Sequence, residues 1–228
     1  MSIEQIGYMI SIWALPVLIA VTFHEAAHGY VAMKLGDMTA YRMGRVSFNP
    51  IKHIDPLGTL LLPGFLIAVG APFVFGYAKP VPVDFSRLNH PKRDMVFVAA
   101  AGPATNIILA TIAALLTNFV PYLPDAMEQW AHHNLQIAMV INVVLAIFNM
   151  IPLPPLDGGR VAVGLLPSKL GRPLAELEPY GFFILIAALF LLPPLGNTLG
   201  LNLDIVSDII RTFTRIIMDI LERLTGLF

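Results

Sequence analysis

The chain has 228 residues, 57% of them hydrophobic and only 13% charged, with a formal net charge of -1 and no cysteine. Soluble domains carry roughly 45–50% apolar and about 25% charged residues, so lipid is the expected solvent for much of this chain. Scattered basic residues leave no electrostatic footprint for nucleic acid, and the lack of thiols excludes disulfides and thiolate ligands, so any metal must be held by imidazole and carboxylate.

The first apolar run, Ile6 to Val21, continues as a helical pattern to Leu35, where Gly36 and Asp37 stop it. It exceeds the roughly 20 residues that cross hydrocarbon and is the first predicted transmembrane helix. Because it lacks the basic n-region and small-residue cleavage pattern of a secretory signal, it is expected to stay attached. Thr39 to Pro56 is polar and reads as extended, with turn signals at Asn49-Pro50 and Asp55-Pro56.

Thr59 to Gly76 is apolar but broken by Pro63, Gly64, Gly70, Pro72 and Gly76. Lys34, Arg42, Arg45 and Lys52 precede it and Lys79, Arg87, Lys92 and Arg93 follow it, so the positive-inside rule puts both flanks in the cytoplasm. A single crossing cannot satisfy that. A re-entrant segment can, since irregular backbone is tolerated at membrane depth where it packs on protein or lines a wet cavity.

Met95 to Phe119 is the next predicted span, and Tyr122 to Asn134, with Asp125 and Glu128 but no basic residue, reads as an outer loop. Leu135 to Met150 returns as a helix and is broken by Pro152, Pro154 and Pro155. Arg160, Lys169 and Arg172 mark a cytoplasmic loop, and Tyr180 to Leu192 is short for a crossing unless flanking residues extend it.

From Ile205 to Leu224, Ile209, Phe213, Ile216, Ile217, Ile220 and Leu224 recur at helical spacing. Asp204, Asp208, Arg211, Arg215, Asp219 and Glu222 take the other face, which predicts an interfacial or partner-packed amphipathic helix. The expected fold is an all-α polytopic membrane protein, a bundle of about four to six transmembrane helices with a re-entrant or extended membrane-associated segment after the first. One membrane-embedded domain, 1–228, is expected, with its core at 6–166 and C-terminal apolar and amphipathic helices at 176–226.

Inside the first helix, His24-Glu25-Ala26-Ala27-His28 is HExxH. On a helix this spacing sets two imidazoles one turn apart on one face, where both can bind one Zn²⁺, with Glu25 beside them to move a proton to or from bound water. Three ionisable side chains in an apolar span are costly unless paired or coordinated. Catalytic zinc usually has three protein ligands and one open position, so one ligand lies elsewhere. Asp157 is the candidate: the prolines before it free the backbone to aim its carboxylate into the bundle. The alternative is an aspartate capping the next helix. His53, His90, His132 and His133 fall in predicted loops and read as solvated.

At these residues the chain resembles the site-2 protease family of intramembrane zinc metallopeptidases. Its HExxH at 24–28, a GPxxN segment at Gly102-Pro103-Ala104-Thr105-Asn106 and an NxxPxPxLDG segment from Asn149 to Gly158 come in the family's order. The resemblance implies zinc, one per chain, held by His24, His28 and Asp157, with Glu25 as general acid/base. It implies Asn106 and Asn149 near a substrate that is a transmembrane or membrane-proximal protein segment, and a membrane-associated β-structure between the first helix and the GPxxN helix. It also implies a multi-pass protein of a cell membrane, bacterial in type, with lipid around it, and the charge bias puts the motif-bearing half of the first helix toward the cytoplasm. An intramembrane metal transporter, a non-proteolytic binder of membrane segments and a lipid-directed zinc hydrolase are the rival readings.

Overall fold

The computed structural model describes residues 2–68 and 78–226. Helix α1 runs from Ile3 to Lys34, its start fixed by a capping box in which Ser2 and Gln5 exchange side-chain to backbone hydrogen bonds. It stops as expected at Gly36, whose φ of +114° lies in the region L side chains avoid. One helical turn, α2 (Thr39–Arg42), and a π-helical turn leading into α3 (Leu62–Ala68) follow. Helix α4 spans Pro91–Thr117 and α5 spans Asp125–Asn149. Two short helices, α6 (Asp157–Leu165) and α7 (Ser168–Ala175), lead to α8 (Glu178–Ile186), which passes through a π-helical turn into α9 (Leu192–Leu199). The last, α10, covers Ile205–Thr225.

The described residues are all-helical, with four helices long and apolar enough to cross a membrane: 7–34, 91–117, 125–149 and the continuous stretch 178–199. The stretch expected to be short is thus full length. The π-helical turn at Ala187–Leu191 lets the chain pass Pro193 and Pro194 without ending, because prolines in a first turn have no hydrogen bond to lose.

Two expectations change. The outer loop expected at 122–134 is mostly helix, since α5 begins at Asp125. Asp125 and Glu128 sit in its first turn, where they complement the helix dipole. Its polar turns are tied to α1 by Trp130 Nε1, which donates to Ser11 Oγ at 3.0 Å, and by the Tyr8 hydroxyl and His133 Nδ1 at 2.7 Å. The expected β-structure after α1 is absent among the described residues. Four backbone N–H groups here, those of Thr39, Ile51, Leu57 and Gly58, are instead bonded by the Asp37, Asn49 and Asp55 side chains, which favours turns over a ladder. The expected re-entrant segment is helical as far as Ala68, and the stretch where it would turn back lies outside the described residues.

Helices α1, α4 and α5 make the core. Ala110, Ala113 and Ala114 of α4 pack on Met139 and Val143 of α5 and on Leu221 of α10. Small residues of this kind let membrane helices approach closely, where van der Waals contact holds them. The amphipathic α10 is partner-packed: it lies along α4 and α5, and near its end Thr225 O accepts a hydrogen bond from Asn118 Nδ2 at 2.8 Å. Trp13, Leu15, Ile19, Phe97, Ile108 and Ile112 stay exposed on the outside, a surface suited to lipid.

Candidate metal centre

The third and second turns from the end of α1 carry His24 and His28, both buried, with ring centroids 4.7 Å apart and Nε2 atoms 3.0 Å apart. Their other nitrogens are occupied by α4. His28 Nδ1 lies 2.7 Å from the Val98 carbonyl oxygen and His24 Nδ1 lies 2.6 Å from Asn106 Oδ1. Both partners are acceptors, so each Nδ1 carries the proton and each Nε2 presents a lone pair. Val98, Gly102 and Asn106 share one face of α4, four residues apart. Between the two acceptors, Gly102 supplies the space for the rings: a Cβ there would fall 2.4 Å from His28 Nε2 and 2.6 Å from His24 Nε2.

The proline-broken segment after α5 delivers the third group. Asp157 is the first residue of α6, and Leu156 occupies the cap position with no side-chain cap bond, so the carboxylate is not used as a helix cap. Its Oδ2 lies 3.2 Å from His24 Nε2 and 3.3 Å from His28 Nε2. The three ligand atoms are within 4.8 Å of one another and all three residues are buried. With both Nδ1–H groups spent, two imidazole lone pairs and a carboxylate oxygen converge on one point, and that oxygen is buried without a hydrogen-bond partner. An unpaired buried charge beside two lone pairs is strongly unfavourable, and a divalent cation removes the conflict. Two nitrogens and one oxygen form a donor set that fits zinc.

Glu25, half-buried on the adjacent face, accepts a hydrogen bond on Oε2 from the Val81 backbone N–H at 2.7 Å. The segment carrying Val81 is strapped down by Arg45, whose Nη2 donates to Lys79 O at 2.8 Å and to Pro80 O at 3.3 Å. Asn149 is half-buried in the last turn of α5, and its Nδ2 donates to Leu145 O at 3.0 Å. Asn106, expected at the substrate, is fully buried with its amide committed to His24, Ala20 O and Asn142. The structure therefore brings together His24, His28, Asp157 and Asn106, with Glu25 alongside. Among the other histidines, His53 lies in a turn as expected but is buried and bonded to Ser47 O instead of solvated, and His132 and His133 lie on α5, so the loop expectation fails for those two.

A model of peptidase family M50 matches residues 119–192, a stretch that includes Asn149 and Asp157 but not the histidine motif. A Bacillus subtilis relative is 37% identical over 184 residues, covering 79% of this chain and 80% of its own length. The chain belongs to peptidase family M50. A Mycolicibacterium smegmatis relative is 28% identical over 172 residues, 75% of this chain and 64% of that protein. The two carry the names "Putative zinc metalloprotease" YwhC and Rip2. No solved structure matches the chain. This M50 chain is thus a multi-pass membrane hydrolase of the metalloprotease type.

Sequence reasoning missed Val98, Val81, Arg45 and Asn142. A backbone carbonyl and a backbone N–H carry no residue signature. Asn142 did have a signal, a polar side chain in an apolar span two turns before Asn149.

Proposed function

We propose that this M50 chain is a single-domain intramembrane zinc endopeptidase that cuts transmembrane or membrane-proximal protein segments. The observation that carries the reading is the convergence of His24 Nε2, His28 Nε2 and Asp157 Oδ2, three lone-pair atoms from two separate stretches of chain, on one buried point. One zinc per chain would be held by those three residues. When bound, it supplies Lewis acidity and a water acidic enough to attack a carbonyl at neutral pH.

Glu25 would take a proton from the attacking water on its carboxylate as the C–O bond forms and then give it to the amide nitrogen as the C–N bond breaks, leaving a carboxylic acid and an amine. Val81 N–H, bonded to Oε2, fixes the carboxylate and leaves Oε1 to carry the proton. Asn106 and Asn142 hold His24, while the resemblance assigns Asn149, whose Nδ2 donates to Leu145 O, to the substrate backbone. A substrate helix has its carbonyls in hydrogen bonds, so it unwinds locally before cleavage, and helix-weakening residues in it favour the reaction.

The site lies six to ten residues from the end of α1, about 9–15 Å at 1.5 Å per residue. Lys34, Arg42, Arg45 and Lys52 follow on at that end, which supports a site opening toward the cytoplasm of a cell membrane. The test is cleavage of a transmembrane reporter by detergent-purified protein, together with zinc stoichiometry. Wild type should bind one zinc and cleave. Glu25→Gln should keep the zinc and lose roughly 10²–10⁴-fold in rate, the usual worth of a general base, and Asp157→Ala should lose both. Cleavage that survives Glu25→Gln would overturn the mechanism.

A further inference from the structure

Asn142 belongs to none of the three motifs and lies mid-span in α5, only 2% exposed. Its Nδ2 donates to Ala138 O at 2.8 Å, and its Oδ1 accepts from Asn106 Nδ2, also at 2.8 Å. A carbonyl only accepts, so the Ala138 contact fixes which end of the Asn142 amide faces which way. Asn142 Oδ1 then requires an N–H from Asn106, whose Nδ2 also donates to Ala20 O at 3.2 Å. That leaves Asn106 Oδ1 toward His24, where Nδ1 must be the donor at 2.6 Å. Each link removes the alternative orientation of the next, because a flipped amide would set donor against donor or acceptor against acceptor.

We infer that Asn142 is a positioning residue for the metal site: acting through Asn106 and alongside the Ala20 carbonyl, it fixes which nitrogen of His24 carries the proton, and so keeps Nε2 free to bind a metal. The inference rests on the proposed His24, His28 and Asp157 zinc site. A merely structural role, two helices joined by a side-chain hydrogen bond, would lower stability and leave metal affinity alone. A tautomer-setting role lowers affinity through Asn106 and only through it.

The experiment measures zinc affinity of the full chain in detergent by competition with a chelator, alongside the thermal midpoint of the zinc-free protein. Asn142→Leu, close in shape but unable to accept, should bind zinc roughly 10–100-fold more weakly, the range seen when support of a ligating histidine is lost. Asn142→Asp, protonated in its buried setting so that its O–H replaces the Nδ2 donor toward Ala138 O, keeps an acceptor toward Asn106 at the same reach and should stay within about threefold of wild type. In an Asn106→Ala background, Asn142→Leu should cost no further affinity, since its route to His24 is gone. Should Asn142→Leu fail to fold, Asn142→Ala makes the same comparison with a smaller change at the helix contact. Wild-type affinity in the Leu or Ala variant overturns the inference, as does an equal loss in the Asn106→Ala background. Zinc binding by wild type that His24→Ala abolishes shows in the same titration that the metal site itself stands. Binding indifferent to His24→Ala overturns both.

Discussion

Gly102 sits on α4 where any Cβ would fall within 2.4–2.6 Å of both imidazoles, well inside contact distance. The rings cannot retreat, because their Nδ1 atoms are held by Val98 O and Asn106 on the same helix. Gly102→Ala should therefore push α4 from α1 or twist the rings, at about 1–3 kcal/mol of overpacking, and weaken zinc at least tenfold in chelator competition. Gly7 is the control. A Cβ there meets nothing within 4 Å, so Gly7→Ala should leave zinc affinity unchanged and raise stability by up to about 1 kcal/mol through helix propensity. Equal zinc affinities in the two variants would show that the close approach at Gly102 is not what shapes the site.

Among the elements, the segment from Lys79 to Asp84 acts as a strap across α1. Arg45 holds it at Lys79 O and Pro80 O, Asp37 accepts the Asp84 N–H at 2.7 Å, and Val81 N–H meets Glu25. The glutamate's place is thus set by backbone from outside its helix. Arg45→Ala should lower the cleavage rate by roughly tenfold, the order of one hydrogen bond to a charged group, with zinc binding intact. An equal loss of zinc would mean that the strap supports the whole metal centre. Asp84 itself, half-buried at the end of this strap, is held below the usual carboxylate range by the Ser86 hydroxyl and the Arg87 guanidinium. Those contacts persist at neutral pH and weaken only in acid.

For the whole molecule, the proposed metal site would tie α1 and α4 to the start of α6, segments otherwise joined by long stretches of chain. A ligand that binds only the folded state adds RT ln(1 + [L]/Kd), about 2.7 kcal/mol at a hundredfold excess over Kd. Chelator treatment should lower the thermal midpoint accordingly, and His28→Ala, already without the site, should show no chelator-dependent shift. Topology has its own test, helped by the absence of native cysteine. Lys52 follows α1, and Arg87 lies near Asn89, whose N–H meets Leu35 O, so both sit at one end of the bundle, while Glu128 lies on the turns of α5 that pack near Tyr8 and Ser11. Single cysteines at Lys52 and Arg87 should label from the same side and one at Glu128 from the other. Opposite labelling of Lys52 and Arg87 would defeat the re-entrant reading of the segment between them.

The elements most legible in the sequence were those with a long apolar run and a clear stop, as α1 and α4 show. The start of α5 was hidden because Asp125 to Asn134 is polar, and its pairing with Tyr8 and Ser11 of α1 is invisible to local pattern. The β-structure expected after α1 failed for a related reason: Asp37, Asn49 and Asp55 serve equally as turn formers, and only the folded chain shows them capping turns. His24, Glu25 and His28 could be read from spacing alone, because helical periodicity converts an interval of four residues into proximity. Asp157 could be proposed but not placed, and the role of Asn142 could not be read at all. By itself the sequence determined that the chain is a membrane helix bundle with a two-histidine face, since composition and period are local properties. Tertiary structure alone decided which lone pairs converge and which protons are held away from them, because those depend on contacts between residues 36 to 133 positions apart in the chain.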